Sequence, residues 1–411
     1  MTSKLTTISL PDICELVTDG THDSPKIQSF GVPFIKGKHI SSRRIDFENC
    51  DYITQEDHCK CIKRVKPKTN DVLFSNIGSV GDAARVTEEV DFSIKNVALF
   101  RPDQKKVDPF YFYYLVISPY FRGHFLNVRS GSAQPFISLE SFRSLKFKCL
   151  EDKATQHKVG SILSAYDDLI ENNRRRIQLL EEAARLLYKE WFVHLRFPGH
   201  DHVKITDGVP EGWDRLTIGN LATVFRGKSY KSSELREVGG RDFVNLKCIQ
   251  RYGGFRSSGI KRFEGEHKDH HRVNGGDIVM AVTDMTRDAM IIAQAGRVPS
   301  SIGEGAIYSM DLVKIVPHPH IEPSWLYLLF RHSDFPFAVR EHASGTNVLH
   351  LKPKYIEDRN TLVPPASLRR AFAEISDPIL EEIDILESQI LALARARDLL
   401  LPRLMNGEMV V

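Results

Sequence analysis

The sequence predicts a mixed α+β chain in which one module occurs twice, each copy followed by a long helix. The two helices are expected to pair as an antiparallel coiled coil with pseudo-twofold symmetry. Three observations lead there: matched segments recur in one order, an apolar heptad follows each set, and the basic residues concentrate in two separated segments.

The repeat comes first. Val17 and Gly20 of "ELVTDGTHDSP" fall on Val224 and Gly227 of "ATVFRGKSYKSS", an offset of 207. Phe34, Lys38 and Ile40 of "FIKGKHI" fall on Phe243, Lys247 and Ile249 of "FVNLKCI" at 209. "NDVLFS" then matches "GDIVMA", "DPFYFYYL" matches "EPSWLYLL", and "SGSAQPFISL" matches "SGTNVLHLKP". Five weak matches in one order, with the small drift that loops introduce, indicate a duplicated module of roughly 150 residues.

Each element has a local reason. "VLFSNIG" and "IVMAVTD" are β-rich runs closed by turn residues. Asp108-Pro109 and Glu322-Pro323 mark helix starts, where proline in the first turn costs no hydrogen bond. The aromatics behind them are expected to pack on a sheet rather than stack on bases. "FIKGKHI" reads as a strand, and alternation puts Phe34, Lys36, Lys38 and Ile40 on one face, and Phe243, Asn245, Lys247 and Ile249 on one face of its copy.

The first heptad seam is Leu163, Ile170, Ile177, Ala184 and Trp191 at a, with Tyr166, Asn173, Leu180 and Leu187 at d. The second carries Ile383, Ile390, Arg397 and Leu404 at a, with Ile379, Leu386, Leu393 and Leu400 at d. Asp377-Pro378 is expected to shorten or kink the start of the last helix. The Pro and Gly residues of "RFPGHDHVKITDGVPEGW" mark a connector. The domains are therefore 1–150, a central helix over 151–196, connector and second domain over 197–365, and a terminal helix over 366–411. The first seam spans about 42 Å at ~1.5 Å per residue, close to one turn of DNA.

Composition narrows the class. With 411 residues, 42% of them hydrophobic, the chain can bury two cores. No apolar run spans a bilayer and the N-terminus lacks a signal-peptide pattern, so a soluble cytoplasmic protein with no membrane partner is expected. Cys14, Cys50, Cys59, Cys61, Cys149 and Cys248 form neither a disulfide framework nor a zinc pattern. Net charge is only +3, yet residues 22–68 hold ten basic residues against six acids, and residues 226–272 hold twelve against six. Such local excess attracts phosphate.

No catalytic constellation emerges. "NIGSVG" lacks the Lys-Ser/Thr ending of a P-loop, and its copy "VTDMTRD" has no glycine. "SPYF" lacks the core of an amino-methyltransferase motif, and Glu151-Asp152-Lys153 lacks the partner acid of a nuclease. "HKDHH" is expected to be a hydrated, phosphate-facing loop rather than a metal site. A non-enzyme with no catalytic or metal residue is expected.

"VTDGTHDSP", "DVLFSNIGSVG", "SGSAQPFISLESFRSLKF", the helix "KVGSILSAYDDLIENNRRRIQLLEEAARLLYKEWF", "GVPEGW", "FRGKSYKSSEL" and "LLLPRLMNGE" occur in one order. In these the chain resembles the specificity subunit of type I restriction–modification systems. The resemblance implies two target-recognition domains, each reading half of an interrupted, asymmetric site in double-stranded DNA. It implies partners: two methyltransferase subunits holding S-adenosylmethionine, and restriction/translocase subunits using ATP and Mg, with no cofactor in this chain. Adenine methylation requires an extruded base, so a distorted duplex is expected. The other reading is a coiled-coil adaptor whose globular domains bind proteins.

For DNA binding, Lys and Arg hold phosphates, while Arg, Lys, Asn and Gln read base edges. The candidates are Thr21, His22, Lys36, Lys38, Ser75, Asn76, Ser79, Arg129, Ser132 and Gln134 in the first domain. In the second they are Lys228, Tyr230, Lys231, Asn245, Lys247, Thr283, Arg287, Thr346, Asn347 and Lys352. Lys36 against Asn245 is the expected point of difference between the two domains.

Overall fold

The computed structural model describes residues 4–78, 80–87, 90–126, 136–286, 288–346 and 348–409. The chain divides into two compact units, Met1–Ile170 with Ala392–Val411, and Glu171–Leu391.

In the first unit β1 (Leu5–Ser9) pairs with β9 (Lys146–Leu150). A four-stranded antiparallel sheet runs β2 (Cys14–Asp19), β8 (Ala98–Pro102), β5 (Val72–Phe74), β6 (Ala83–Arg85). A three-stranded sheet runs β4 (Asp51–Ile53), β3 (Val32–Lys36), β7 (Ser93–Lys95), with β3 and β7 parallel. Helices α1 (Pro109–Ile117), α2 (Pro119–Leu126) and α3 (Leu139–Ser144) follow. Asp108 caps α1, its Oδ1 accepting from the Phe110 and Tyr111 amides at 3.0 Å each, and Pro109 occupies the first turn. Tyr111, Phe112, Tyr113 and Tyr114 are buried in the core with Phe74, Phe100 and Phe142. These aromatics are packing residues, as expected.

The second unit repeats this plan. β10 (Asp214–Thr217) pairs with β18 (Asn360–Val363). The four-stranded sheet runs β11 (Ala222–Arg226), β17 (Leu312–Pro317), β14 (Ile278–Ala281), β15 (Ala295–Arg297). In the other sheet β12 (Arg241–Val244) pairs antiparallel with β13 (Lys261–Phe263) and parallel with β16 (Ala306–Tyr308). Helices α5 (Pro323–His332), α6 (Phe335–Arg340) and α7 (Pro353–Glu357) follow. The shared strands match the first unit in order and pairing sense, while short strands Leu235–Arg236 and Arg272–Val273 extend the β12 sheet to five, so the module is duplicated in fold with added edges in the second copy.

The central helix is α4 (Lys153–Tyr188), extended by a π-helical turn over Lys189–Val193. The last is α8 (Ala366–Met405). It begins eleven residues before Asp377 and runs unbroken through Pro378, which corrects the expected early interruption. Pro378 removes one amide, and the Glu374 carbonyl that would have accepted it belongs to a solvent-exposed residue where water can substitute. Burial of Phe372, Ser376 and Leu380 holds the turns on either side, with the Ser376 hydroxyl donating to Ser324 Oγ at 3.0 Å.

Within the second unit α4 and α8 run antiparallel. Asn173 Nδ2 donates to Gln389 Oε1 at 3.0 Å, Arg176 pairs with Glu382, and the Tyr188 and Phe372 rings meet at 6.2 Å. Asn173 is thus a paired polar group in the seam. Of the proposed seam, Leu163, Ile170, Asn173, Ala184, Trp191, Leu386 and Leu404 are buried, and Tyr166, Ile177, Leu180, Leu187, Ile379, Ile383, Ile390, Leu393 and Leu400 are half-buried. No helix among the described residues is long and apolar enough to cross a membrane.

Candidate DNA interface

Three loops of the first unit meet around Lys95. The loop after β2 turns at Gly20, where a Cβ would lie 2.1 Å from the Ile94 carbonyl oxygen, so only glycine fits. The Thr21 amide then donates to that oxygen at 3.0 Å, and Thr21 bridges Lys95. Lys95 also pairs with Lys36 across the parallel strands. After Lys36 the chain leaves the sheet. Gly37–His39 form a 3₁₀ turn, so "FIKGKHI" is a strand followed by a turn, and the expected four-residue face does not exist. Phe34 and Ile35 are both buried because each face of this sheet is covered by its own apolar cluster. A Cβ on Gly37 would lie 2.6 Å from Ser75 Oγ, which brings in the third loop, after β5.

Acids moderate the charge of this surface. Lys36 Nζ lies 2.8 Å and Lys38 Nζ 3.4 Å from Asp51. Burial opposes the Asp51 carboxylate, but the Lys36 hydrogen bond and both lysine charges outweigh it and hold its pKa below the ordinary value. Asp19 accepts from Arg64 and lies 3.3 Å from His22 Nε2, and Asp91 pairs with Lys66 at 2.8 Å. His22 and Lys38 remain exposed. Asn76 is buried and donates to the Ile137 carbonyl at 3.1 Å, and Thr21 is buried with its hydroxyl bonded to Asp23, so both hold loops.

The second unit uses the same frame with different chemistry. Gly227 repeats Gly20, its Cβ position 2.1 Å from the Ser309 carbonyl oxygen. The Lys228 amide donates to Tyr308 at 2.8 Å and Lys228 bridges Ser309, as Thr21 bridges Lys95. β12 again runs into a 3₁₀ turn, Leu246–Cys248. Asn245 caps this turn: its Oδ1 accepts from the Lys247 amide at 3.0 Å and its Nδ2 donates to Gly259 at 2.8 Å. It is 3% exposed. The contrast expected between Lys36 and Asn245 therefore gives way, because the asparagine amide is committed to backbone partners inside the fold.

Around this frame Lys231, Lys247 and Lys352 are exposed and Lys228 is half-buried. The local acids pair elsewhere, Glu264 with Arg236, Asp242 with Arg262 and Asp269 with Arg272. Tyr230 packs edge-on against Phe243 at 4.8 Å. Thr283 is buried in a short pairing with His350, while Thr346 is exposed. Ser79, Arg129, Ser132, Gln134, Arg287 and Asn347 lie outside the described residues.

Two groups escaped the sequence. Asp19 and Arg226 occupy the same place before the repeated glycine, and their opposite charge was visible in the alignment of the copies. Asp284 substitutes for the glycines missing after β14. Its carboxylate accepts from the Thr286 and Ile291 amides at 2.7 Å and the Ile292 amide at 2.9 Å. Burial works against this charge, but the Thr286 side-chain hydrogen bond and the three amide bonds prevail and depress its pKa.

Comparison with known proteins agrees. Residues 2–182 match the family model described as the type I restriction modification DNA specificity domain. The MjaIX specificity subunit of Methanocaldococcus jannaschii is 24% identical over 98% of this chain and 93% of its own length. The HindI specificity subunit of Haemophilus influenzae is 24% identical over 89% and 96%. The type I restriction–modification S subunit of M. genitalium superposes with a TM-score of 0.59 over 98% of this chain and 96% of that one, at 15% identity, a likeness of fold. Residues 2–182 thus match the type I restriction modification DNA specificity domain, and over nearly its whole length the chain is similar to type I restriction enzyme specificity subunits.

Proposed function

We propose that the two units each read one half of an interrupted DNA sequence and that methyl transfer and cleavage are performed by partner subunits. The chain is a DNA-recognition subunit; the bipartite site, the two methyltransferase subunits and the ATP- and Mg-dependent restriction subunits are the finer reading. The observation that carries it is the duplicated three-loop frame with different residues in equivalent places, Asp19 against Arg226 and Thr21 against Lys228. One frame with two sets of side chains suits a target with two unlike halves. S-adenosylmethionine belongs on this reading to the methyltransferase subunits, and the complex works in the cytoplasm.

Phosphate contacts fix register, and base edges supply sequence. Methylation-sensitive sequencing of the host genome should reveal one modified motif with two short specific halves. A continuous motif, or none, would count against the reading. Replacing residues 1–150 with those of a relative should change one half only.

A further inference from the structure

We infer that the turn His267–Arg272, together with Arg226 and Lys228, forms a proton-dependent docking site for the DNA phosphodiester backbone that the second unit has and the first lacks. This rests on the DNA-recognition reading and goes beyond it.

The turn is fastened to the DNA-facing loop. Tyr308 is fully buried, and its hydroxyl lies 3.2 Å from the Phe225 and Arg226 carbonyl oxygens and 3.0 Å from that of His270. It therefore buckles the end of β11 to the 3₁₀ turn Asp269–His271. Lys314 Nζ, donating to the Arg272 carbonyl at 2.7 Å, secures the far end.

The side chains left outside are almost all cationic or able to become so. His270 and His271 rings stand 4.2 Å apart. His271 Nδ1 accepts from the Lys268 amide at 3.2 Å, which leaves Nε2 as its free donor. Lys228 on the neighbouring loop, with Lys268, His270 and His267 on the turn itself, bears electrostatically on His271. Burial first, then these neighbours, depresses its pKa. Of the acids close by in the chain, Asp269 pairs with Arg272 at 3.4 Å and Asp277 with Lys314 at 3.8 Å, while exposed Glu266 immediately precedes the turn.

A bound phosphate reverses that repulsion, so His271 takes up a proton on Nδ1, giving up the Lys268 amide bond for attraction to the phosphate. Among the described residues these histidines form no metal-binding group. At the matching place in the first unit stands the helix Gln55–Cys61, whose His58 is buried against Ser93 at 2.9 Å. Arg64 there turns inward to Asp19.

The test is fluorescence anisotropy of the full chain on a random-sequence duplex at about pH 6 and about pH 7.5, at one salt concentration. The wild type should bind roughly three- to ten-fold tighter at the lower pH, and His270→Gln/His271→Gln should bind nearly equally at both. His270→Gln alone, a change at an exposed ring that removes one neighbour opposing the His271 charge, should reduce the difference and covers a double variant that fails to fold. DNA binding with the same pH dependence in wild type and variants overturns this site while leaving target recognition standing. No DNA binding at either pH overturns both.

Discussion

The two recognition units share a frame and differ in how they handle charge. In the first, the loop lysines and arginines lean on Asp19, Asp51 and Asp91. In the second, Arg226 stands where Asp19 does, and Lys228, Lys231 and Lys247 face no carboxylate within salt-bridge reach among the described residues. Electrostatic attraction to phosphate is general, whereas paired side chains reach a base only by exchanging partners. On the proposed reading, the second unit should attach more strongly and with more salt sensitivity, and the first at the cost of rearranging existing pairs.

The two units differ most at their helices. Arg397 is buried in the first unit and pairs with Asp167 and, at 3.0 Å, with Asp398, while the matching seam residue in the second unit is Ala184. Arg397→Ala should therefore destabilise the first unit by about 2 kcal/mol, seen as an early unfolding phase in urea, because it removes a buried guanidinium and leaves half-buried Asp167 with the Tyr114 hydroxyl as its remaining donor. Gly20→Ala and Gly227→Ala should cost about 2 kcal/mol each, since both push a Cβ into a carbonyl oxygen. Unequal melting shifts for this pair would show that the shared frame is looser in one unit.

A smaller difference concerns pH. Burial, with Asp384 and Glu181 nearby and only Arg297 opposing, raises the Glu387 pKa to about 7 in the second unit. A carboxyl whose folded pKa exceeds its unfolded one contributes stability at low pH and loses it as pH rises through about 7. Glu387→Gln should raise the melting temperature of that unit above neutrality and leave it unchanged near pH 4. Smallest of all, Asp51→Asn frees Lys36 and Lys38 and should steepen the salt dependence of DNA binding by about one to two counterions. An unchanged slope would mean that neither lysine faces phosphate.

Much of this was legible in the sequence, because repeats leave correlated traces. The strands Val72–Phe74 and Ile278–Ala281, the Asp108-Pro109 helix start and the antiparallel seam followed from pattern alone. What stayed hidden depends on tertiary partners. Alternation treated Lys36 and Lys38 as sharing a strand face, yet a 3₁₀ turn intervenes. Asn245 has the composition of a base reader but caps that turn's copy. Asp284 looked like any loop acid until its three amide donors were in place. Pro378 read as a breaker, although packing on both sides carries the helix through it.

The composition of the first core sets an order of events during synthesis. Leu401, Leu404 and Met405 belong to the same cluster as Val159, Leu163 and the aromatics of α1. The first unit therefore cannot complete its core until Leu401, Leu404 and Met405 have emerged, by which point Glu171–Leu391 is already whole. Translation proceeds at roughly 5–20 residues per second, so the early domain waits on the order of ten seconds or more with a helix-sized apolar surface uncovered.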